Sequence, residues 1–187
     1  MVHLATASIQ VIWYFVAAVW LILAFRTKRT IARSGGMARL AVLTVLAAIV
    51  LIRPLAHSSL HQPIWAPSPV QSLLALVLVV VGAVFALWAR FTIGANWSGT
   101  VTLKADHQLI QSGPYHFVRH PIYSGLFLMA FASALQFDEP YGFLLLIVLI
   151  TLLIPKIILE EKLMTQSFPD QYPAYRQRVK AIIPFVL

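Results

Sequence analysis

The chain contains no cysteine. That excludes disulfides, thiolate nucleophiles and cysteine-ligated zinc, and it leaves the redox compartment open. Charge is also scarce. Asp, Glu, Lys and Arg make up 11% of the 187 residues, where a soluble domain carries about a quarter. Negative charge is scarcest, at 6 acidic residues against 14 Lys and Arg. What fills the chain instead is apolar: 60% of residues are hydrophobic. The expectation is one membrane-embedded domain over residues 1–187. The net charge of +8 fits the Lys and Arg that gather on the cytoplasmic side of membrane proteins better than it fits a nucleic-acid partner.

Five apolar stretches read as transmembrane helices: Leu4 to Phe25, Leu40 to Ile52, Val70 to Ala89, Pro121 to Phe137, and Tyr141 to Leu159, the last interrupted by Pro155 and Lys156. No basic residue precedes the first run, which is longer than a signal-peptide core, so it reads as a retained helix with its N-terminus outside. The second stretch is short for a span of about 20 residues, and charge placement decides in its favour. With five spans, Arg26, Lys28, Arg29, Arg33, Arg39, Arg90, Lys104, Arg119, Lys156, Lys162, Arg176, Arg178 and Lys180 all fall inside, and only Arg53 falls outside. The positive-inside rule expects that partition. Without the second span, Arg90, Lys104 and Arg119 would move outside. The expected architecture is therefore an all-α integral membrane protein with five transmembrane helices and a cytoplasmic C-terminus. Residues 1–89 carry three helices, and 90–187 carry a helical hairpin and a tail. The proline-rich connection 54–69 lies outside, and the polar segments 90–120 and 160–187 lie inside, where the chemistry is expected.

GPYHFVRHPIYSG, residues 113–125, stands out from these apolar surroundings. Gly113-Pro114 signals a tight turn, and Pro121 suits the first turn of a helix, where its missing N–H costs nothing. A helix start near His120 offers free N–H groups and a partial positive charge, a setting for an anion. Arg119 adds a full charge. Tyr123 follows His120 by three positions and Arg119 by four, so the three can share a face. Tyr115 and Phe117 add flat apolar surfaces. The set suits a ligand with an anionic group at one end and an aromatic ring at the other. Individually, Tyr115 and Tyr123 would pass for interfacial anchors and Arg119 for one more inside cation; their density in one turn argues for a site.

A second cluster is KIILEEKL, residues 156–163. Lys156 and Glu160 are four apart and share a helix face, and Pro155 can kink the helix before them. A carboxylate here, Glu160 or Glu161, accepts hydrogen bonds from ribose hydroxyls or an ammonium group. Two HxxxH spacings, His57/His61 and His116/His120, raise the question of a metal. Membrane di-iron enzymes need about twice as many ligands, one pair falls in the external loop, and Pro121 interrupts the second. No metal is expected.

Together these motifs resemble the isoprenylcysteine carboxyl methyltransferase family, related to membrane phospholipid methyltransferases. The resemblance rests on HQLI at 107–110, GPYHFVRHPIYSG at 113–125, EE at 160–161 and FPDQYPAYRQRV at 168–179 with Pro184 behind, over roughly residues 90–187. NWS at 96–98 is similar to bacterial members. The resemblance implies an S-adenosylmethionine-dependent methyltransferase with a cytoplasmic-face cofactor pocket, in a bacterial inner membrane, acting on a lipophilic acceptor. The acceptor it points to is the carboxylate of an isoprenylcysteine-like substrate. His107, Gln108, Leu109, Ile110, Tyr115, His120, Pro121, Ile122, Tyr123 and Glu160 would contact the cofactor, with Arg119 and Glu161 as further contributors. Lys156 stands where some members place an arginine facing the substrate carboxylate; lysine keeps the charge but loses the bidentate fork. Methyl transfer to a carboxylate needs orientation and a dry site, with no catalytic base and no covalent intermediate. A lipid amine acceptor would need a base, and His116, His120 or a glutamate would serve. A membrane NADPH-dependent reductase of the sterol type shares the RHPxY-like turn, but no extra cluster of cations for a 2′-phosphate is evident.

Overall fold

The structure is a computed structural model. It describes residues 1–33, 64–66, 68–99, 102–104, 108–137 and 139–184. Its long elements are α1 (Val2–Ala24), α2 (Pro69–Ile93), α3 (Pro121–Phe137) and α4 (Pro140–Ser167), followed by a short α5 (Tyr172–Arg178). Proline opens α2, α3 and α4, where the first N–H has no helical acceptor to lose. Among the described residues, three helices are long and apolar enough to cross a membrane: Val2–Ala24, Pro69–Asn96 and Pro140–Ser167. The 17 residues of α3 reach about 25 Å at 1.5 Å per residue, slightly less than the hydrocarbon thickness. The expected second span, Leu40 to Ile52, lies outside the described residues, as do Arg39, Arg53, His57 and His61.

Two sequence expectations change. The helical class stands, with one addition: Thr30–Arg33 (β1) pairs antiparallel with Thr102–Lys104 (β2). Strands this short carry too few residues for an alternating pattern to show. Second, Pro155 does not interrupt the last long helix, which runs through it to Ser167. One lost backbone hydrogen bond is tolerated where the remaining turns are intact.

Helices α2 and α3 form the central pair. A Cβ on Gly82 would lie 2.7 Å from the Gly125 carbonyl oxygen, and a Cβ on Gly125 would lie 2.6 Å from that of Gly82. The backbones meet only because neither residue has a side chain, the small-residue packing that membrane helices use. Around this contact Ile9 and Val16 of α1, Ala75, Val79 and Ala83 of α2, and Met129 and Ala132 of α3 form a buried cluster.

Hydrogen bonds set the directions of the helices. At one end Gln71 Nε2 donates to Leu135 O at 2.6 Å, and Gln136 Nε2 donates to Thr6 Oγ1 at 3.0 Å. Thus the starts of α1 and α2 meet the end of α3. At the opposite end Arg90 Nη2 donates to Leu23 O at 2.8 Å, and the Lys28 N–H donates to Ala95 O at 3.0 Å. So α1 and α2 run parallel, α3 runs against them, and the chain leaving β1 at one end re-enters at the other. Helix α4 returns alongside α3; of its 28 residues only Ile157 and Glu161 are buried.

Candidate functional site

The start of α3, the end of α4 and the tail converge at the end of the bundle that carries β1 and β2. The approach to α3 is a 3₁₀ turn, Gly113–His116, with Gly113 at φ +59°, a left-handed conformation that suits glycine. The tail then crosses the start of α3. The Arg119 N–H donates to Lys180 O at 2.8 Å, the His120 N–H to Ala181 O at 2.9 Å, and Ser124 Oγ to Ile182 O at 2.6 Å. The Arg119 and His120 amides, just before the helix, are thus taken by the tail's own carbonyls.

The two adjacent glutamates face different ways, because neighbouring residues on an α-helix are about 100° apart. Glu161 is buried and accepts from Arg119 Nε at 2.9 Å and Nη2 at 2.6 Å; Arg176 Nε stands 3.3 Å from its other oxygen and His120 Nε2 3.3 Å from the first. Arg119 Nη1 also reaches the Arg176 carbonyl at 3.1 Å and the Val179 carbonyl. This network ties α4, α3 and the tail together, and Glu161 does not line the cavity beside it. Glu160 does. It accepts from Tyr123 Oη at 2.8 Å and lies 3.9 Å from Lys156 Nζ and 3.7 Å from His120 Nδ1. The His120 and Tyr123 rings stack with centroids 5.7 Å apart.

The cavity has a volume of about 330 Å³. Leu149, Leu153, Lys156, Glu160 and Leu163 line it from one face of α4, at the alternating three- and four-residue spacing of a helix stripe. Trp20 and Leu126 extend the apolar wall; Arg119, His120 and Tyr123 are opposite Glu160, and Tyr172 and Tyr175 close the tail side. One enclosure therefore joins a charged end to an aliphatic end. Burial raises the pKa values of the Tyr115 and Tyr172 phenols and pushes Tyr175 up to about 12. These groups stay protonated at neutral pH, and Tyr175 Oη donates to Tyr115 O at 2.6 Å.

Of the expected site residues, Gln108, Leu109, Ile110, Tyr115, Arg119, His120, Pro121, Ile122, Tyr123, Lys156 and Glu160 all line this one cavity. His107 lies outside the described residues. His116 and Phe117 sit in a separate outer groove with Arg178 and Lys180, which removes His116 from any role as a base in the cavity. Sequence reasoning gave no role to Asn96 and Trp97, although both line the cavity and belong to the NWS match. It also missed Arg90, which is 1% exposed at the end of α2.

The residues present fit a nucleoside bearing an amino-acid tail. Glu160 can accept from hydroxyl or ammonium groups, Lys156 can meet a carboxylate, and Asn96 Oδ1 is buried with no hydrogen-bond partner. Fold and site thus define a helical membrane protein with a buried, amphipathic ligand cavity at one end of its bundle. The profile of the isoprenylcysteine carboxyl methyltransferase (ICMT) family matches residues 74–166, and over those residues the chain belongs to that family. The match begins within α2, five residues after its start, and ends before the tail. The protein-S-isoprenylcysteine O-methyltransferase of Saccharomyces cerevisiae is 32% identical over 118 residues, 62% of this chain and 49% of that one. The B enzyme of Arabidopsis thaliana is 27% identical over 114 residues, 59% and 58% of the two chains. The solved eukaryotic intramembrane Ras methyltransferase ICMT superposes with a TM-score of 0.58 at 22% identity, over 83% of this chain and 55% of that one; it supports the fold. The chain thus spans about half the length of these relatives.

Proposed function

We propose that the protein is an S-adenosylmethionine-dependent methyltransferase whose acceptor is the carboxylate of an isoprenylcysteine-like lipid. The observation that carries this reading is the single cavity in which Glu160, Lys156 and His120 meet the aliphatic wall of Leu126, Leu149 and Leu153. A water-soluble donor and a lipid-soluble acceptor need such a meeting place. The cofactor, when bound, supplies a methyl group activated by its sulfonium. The protein's part is placement. Glu160, held by Tyr123, accepts hydrogen bonds from the polar end of the donor. Lys156, whose Nζ donates to Gly99 O at 3.1 Å, presents its charge to the acceptor carboxylate. That carboxylate is ionised at neutral pH, so attack needs no base, and orientation in a dry site contributes about 7–11 kcal/mol.

The reading also places five helices across the membrane with the site on the cytoplasmic side. Arg26, Lys28 and Arg29 after α1, and Lys162, Arg176, Arg178 and Lys180 at the other chain segments of the site end, support that orientation. Against a dinucleotide reductase, Arg119 is already committed to Glu161 at 2.6 Å, which leaves Lys156 as the one lining Lys or Arg side chain not tightly paired, too few for a cofactor with a 2′-phosphate and a pyrophosphate.

The test is transfer of a labelled methyl group from S-adenosylmethionine to an S-farnesyl cysteine derivative by detergent-purified protein, with S-adenosylhomocysteine binding measured by calorimetry. Base-labile methyl ester formation is expected. No binding of S-adenosylhomocysteine to folded, monodisperse protein contradicts the cofactor; binding without ester formation contradicts the acceptor.

A further inference from the structure

The least explained polar group in the cavity is the side chain of Asn96. It sits on the 3₁₀ turn Gly94–Asn96 that follows α2, is 9% exposed, and lines the cavity. Its Oδ1 has no hydrogen-bond partner. A buried carbonyl oxygen left unpaired is costly, and native structures keep such groups rarely. The turn that carries it is nevertheless firmly held. Arg90 donates from Nη1 to Gly94 O at 2.9 Å and from Nη2 to Leu23 O at 2.8 Å, and its guanidinium lies 4.5 Å from the centroid of the neighbouring Trp97 ring. A fixed turn that presents an unsatisfied acceptor to a cavity is a preformed half of a ligand contact.

The surroundings indicate which part of a ligand it meets. The ionisable groups Lys156 and Glu160 come from α4, and His120 from the residue before α3. On the Asn96 side Trp97, Ile93, Ile110 and Tyr115 pack as an apolar and aromatic cluster. A neutral carboxamide at the edge of flat apolar walls matches a heterocyclic base better than an ammonium or a carboxylate. Asparagine and adenine are complementary: the carboxamide oxygen accepts from the exocyclic amino group while its N–H donates to a ring nitrogen.

We infer that Asn96 reads the adenine amino group of the bound nucleoside, and that Arg90 is the positioning residue that holds it there. The inference rests on the cofactor reading above and adds a base-specific contact to it.

The experiment compares two ligands on two proteins by calorimetry: S-adenosylhomocysteine, and S-inosylhomocysteine, in which a carbonyl oxygen replaces the amino group. The variant is Asn96→Leu, close in shape, which removes the orphan oxygen. The parent is expected to bind S-adenosylhomocysteine more tightly than the inosyl analogue by about tenfold or more. In Asn96→Leu that preference should collapse to within about twofold, while the melting temperature without ligand stays level or rises. A structural role alone would lower the melting temperature and leave the preference intact. Asn96→Leu that keeps the parent's preference overturns the inference, and so does a loss of affinity equal for both ligands. Should Asn96→Leu not fold, Arg90→Lys serves as the second variant: a reduced preference supports the positioning role, and an unchanged one contradicts it. A parent that binds neither ligand counts against the cofactor reading itself.

Discussion

The two ends of the helix bundle treat polar side chains in opposite ways. At the end where α1 and α2 begin, uncharged side chains join helix to helix: Gln71 to Leu135 O and Gln136 to Thr6, with Trp13 Nε1 to Ser133 Oγ at 3.0 Å further along α1. At the other end ionisable groups divide between two tasks. Arg119, Glu161 and Arg176 hold the tail against α3 and α4, whereas Glu160, Lys156 and His120 face the cavity. The contrast is sharpest between Glu160 and Glu161, consecutive residues with the same chemistry. Rotation about the helix axis alone turns one toward the cavity and the other into a tie to Arg119 and Arg176. The neutral groups tie the bundle together, whereas the ionisable ones either tie down the tail or face the cavity.

Glu161→Ala should have the largest effect. It leaves the buried Arg119 guanidinium without its carboxylate and frees the tail, at a cost of about 3–5 kcal/mol. Thermal unfolding in detergent should show a strong drop, and limited proteolysis should release the tail after Ser167. An unchanged melting temperature would break the distinction between the glutamates. The smallest effect belongs to the far end. Gln136→Leu removes one inter-helix donor together with an amide oxygen that already lacks a partner. The cost should be within about 1 kcal/mol, and ligand affinity should not move. A tenfold loss of S-adenosylhomocysteine affinity there would mean that the two ends are not separable.

Much of this was legible in the sequence. The apolar runs marked α1, α2 and α3 to within a few residues, because 20-residue hydrophobic segments have few alternatives. Gly113, Pro114 and Pro121 announced the turn and the start of α3. The Lys156–Glu160 spacing placed both on one face, and continuing that stripe back to Leu153 and Leu149 would have separated Glu160 from Glu161. Three features were not legible. The tail carbonyls of Lys180 and Ala181 pair with the Arg119 and His120 amides just before α3, backbone contacts that leave no side-chain signature. Arg90 reads as one more inside cation, and only the fold shows it buried between Leu23 O and Gly94 O. The ribbon of Thr30–Arg33 with Thr102–Lys104 joins segments about 70 positions apart in the chain, a distance no local pattern spans.

The most direct test of the account is titration of S-adenosylhomocysteine into the parent and Glu160→Ala, with melting temperatures measured alongside. The account predicts micromolar binding by the parent, a loss of about tenfold to a hundredfold in the variant, and little change in the melting temperature of Glu160→Ala without ligand. Parent-like affinity in a folded Glu160→Ala protein would contradict the claim that Glu160 faces the ligand.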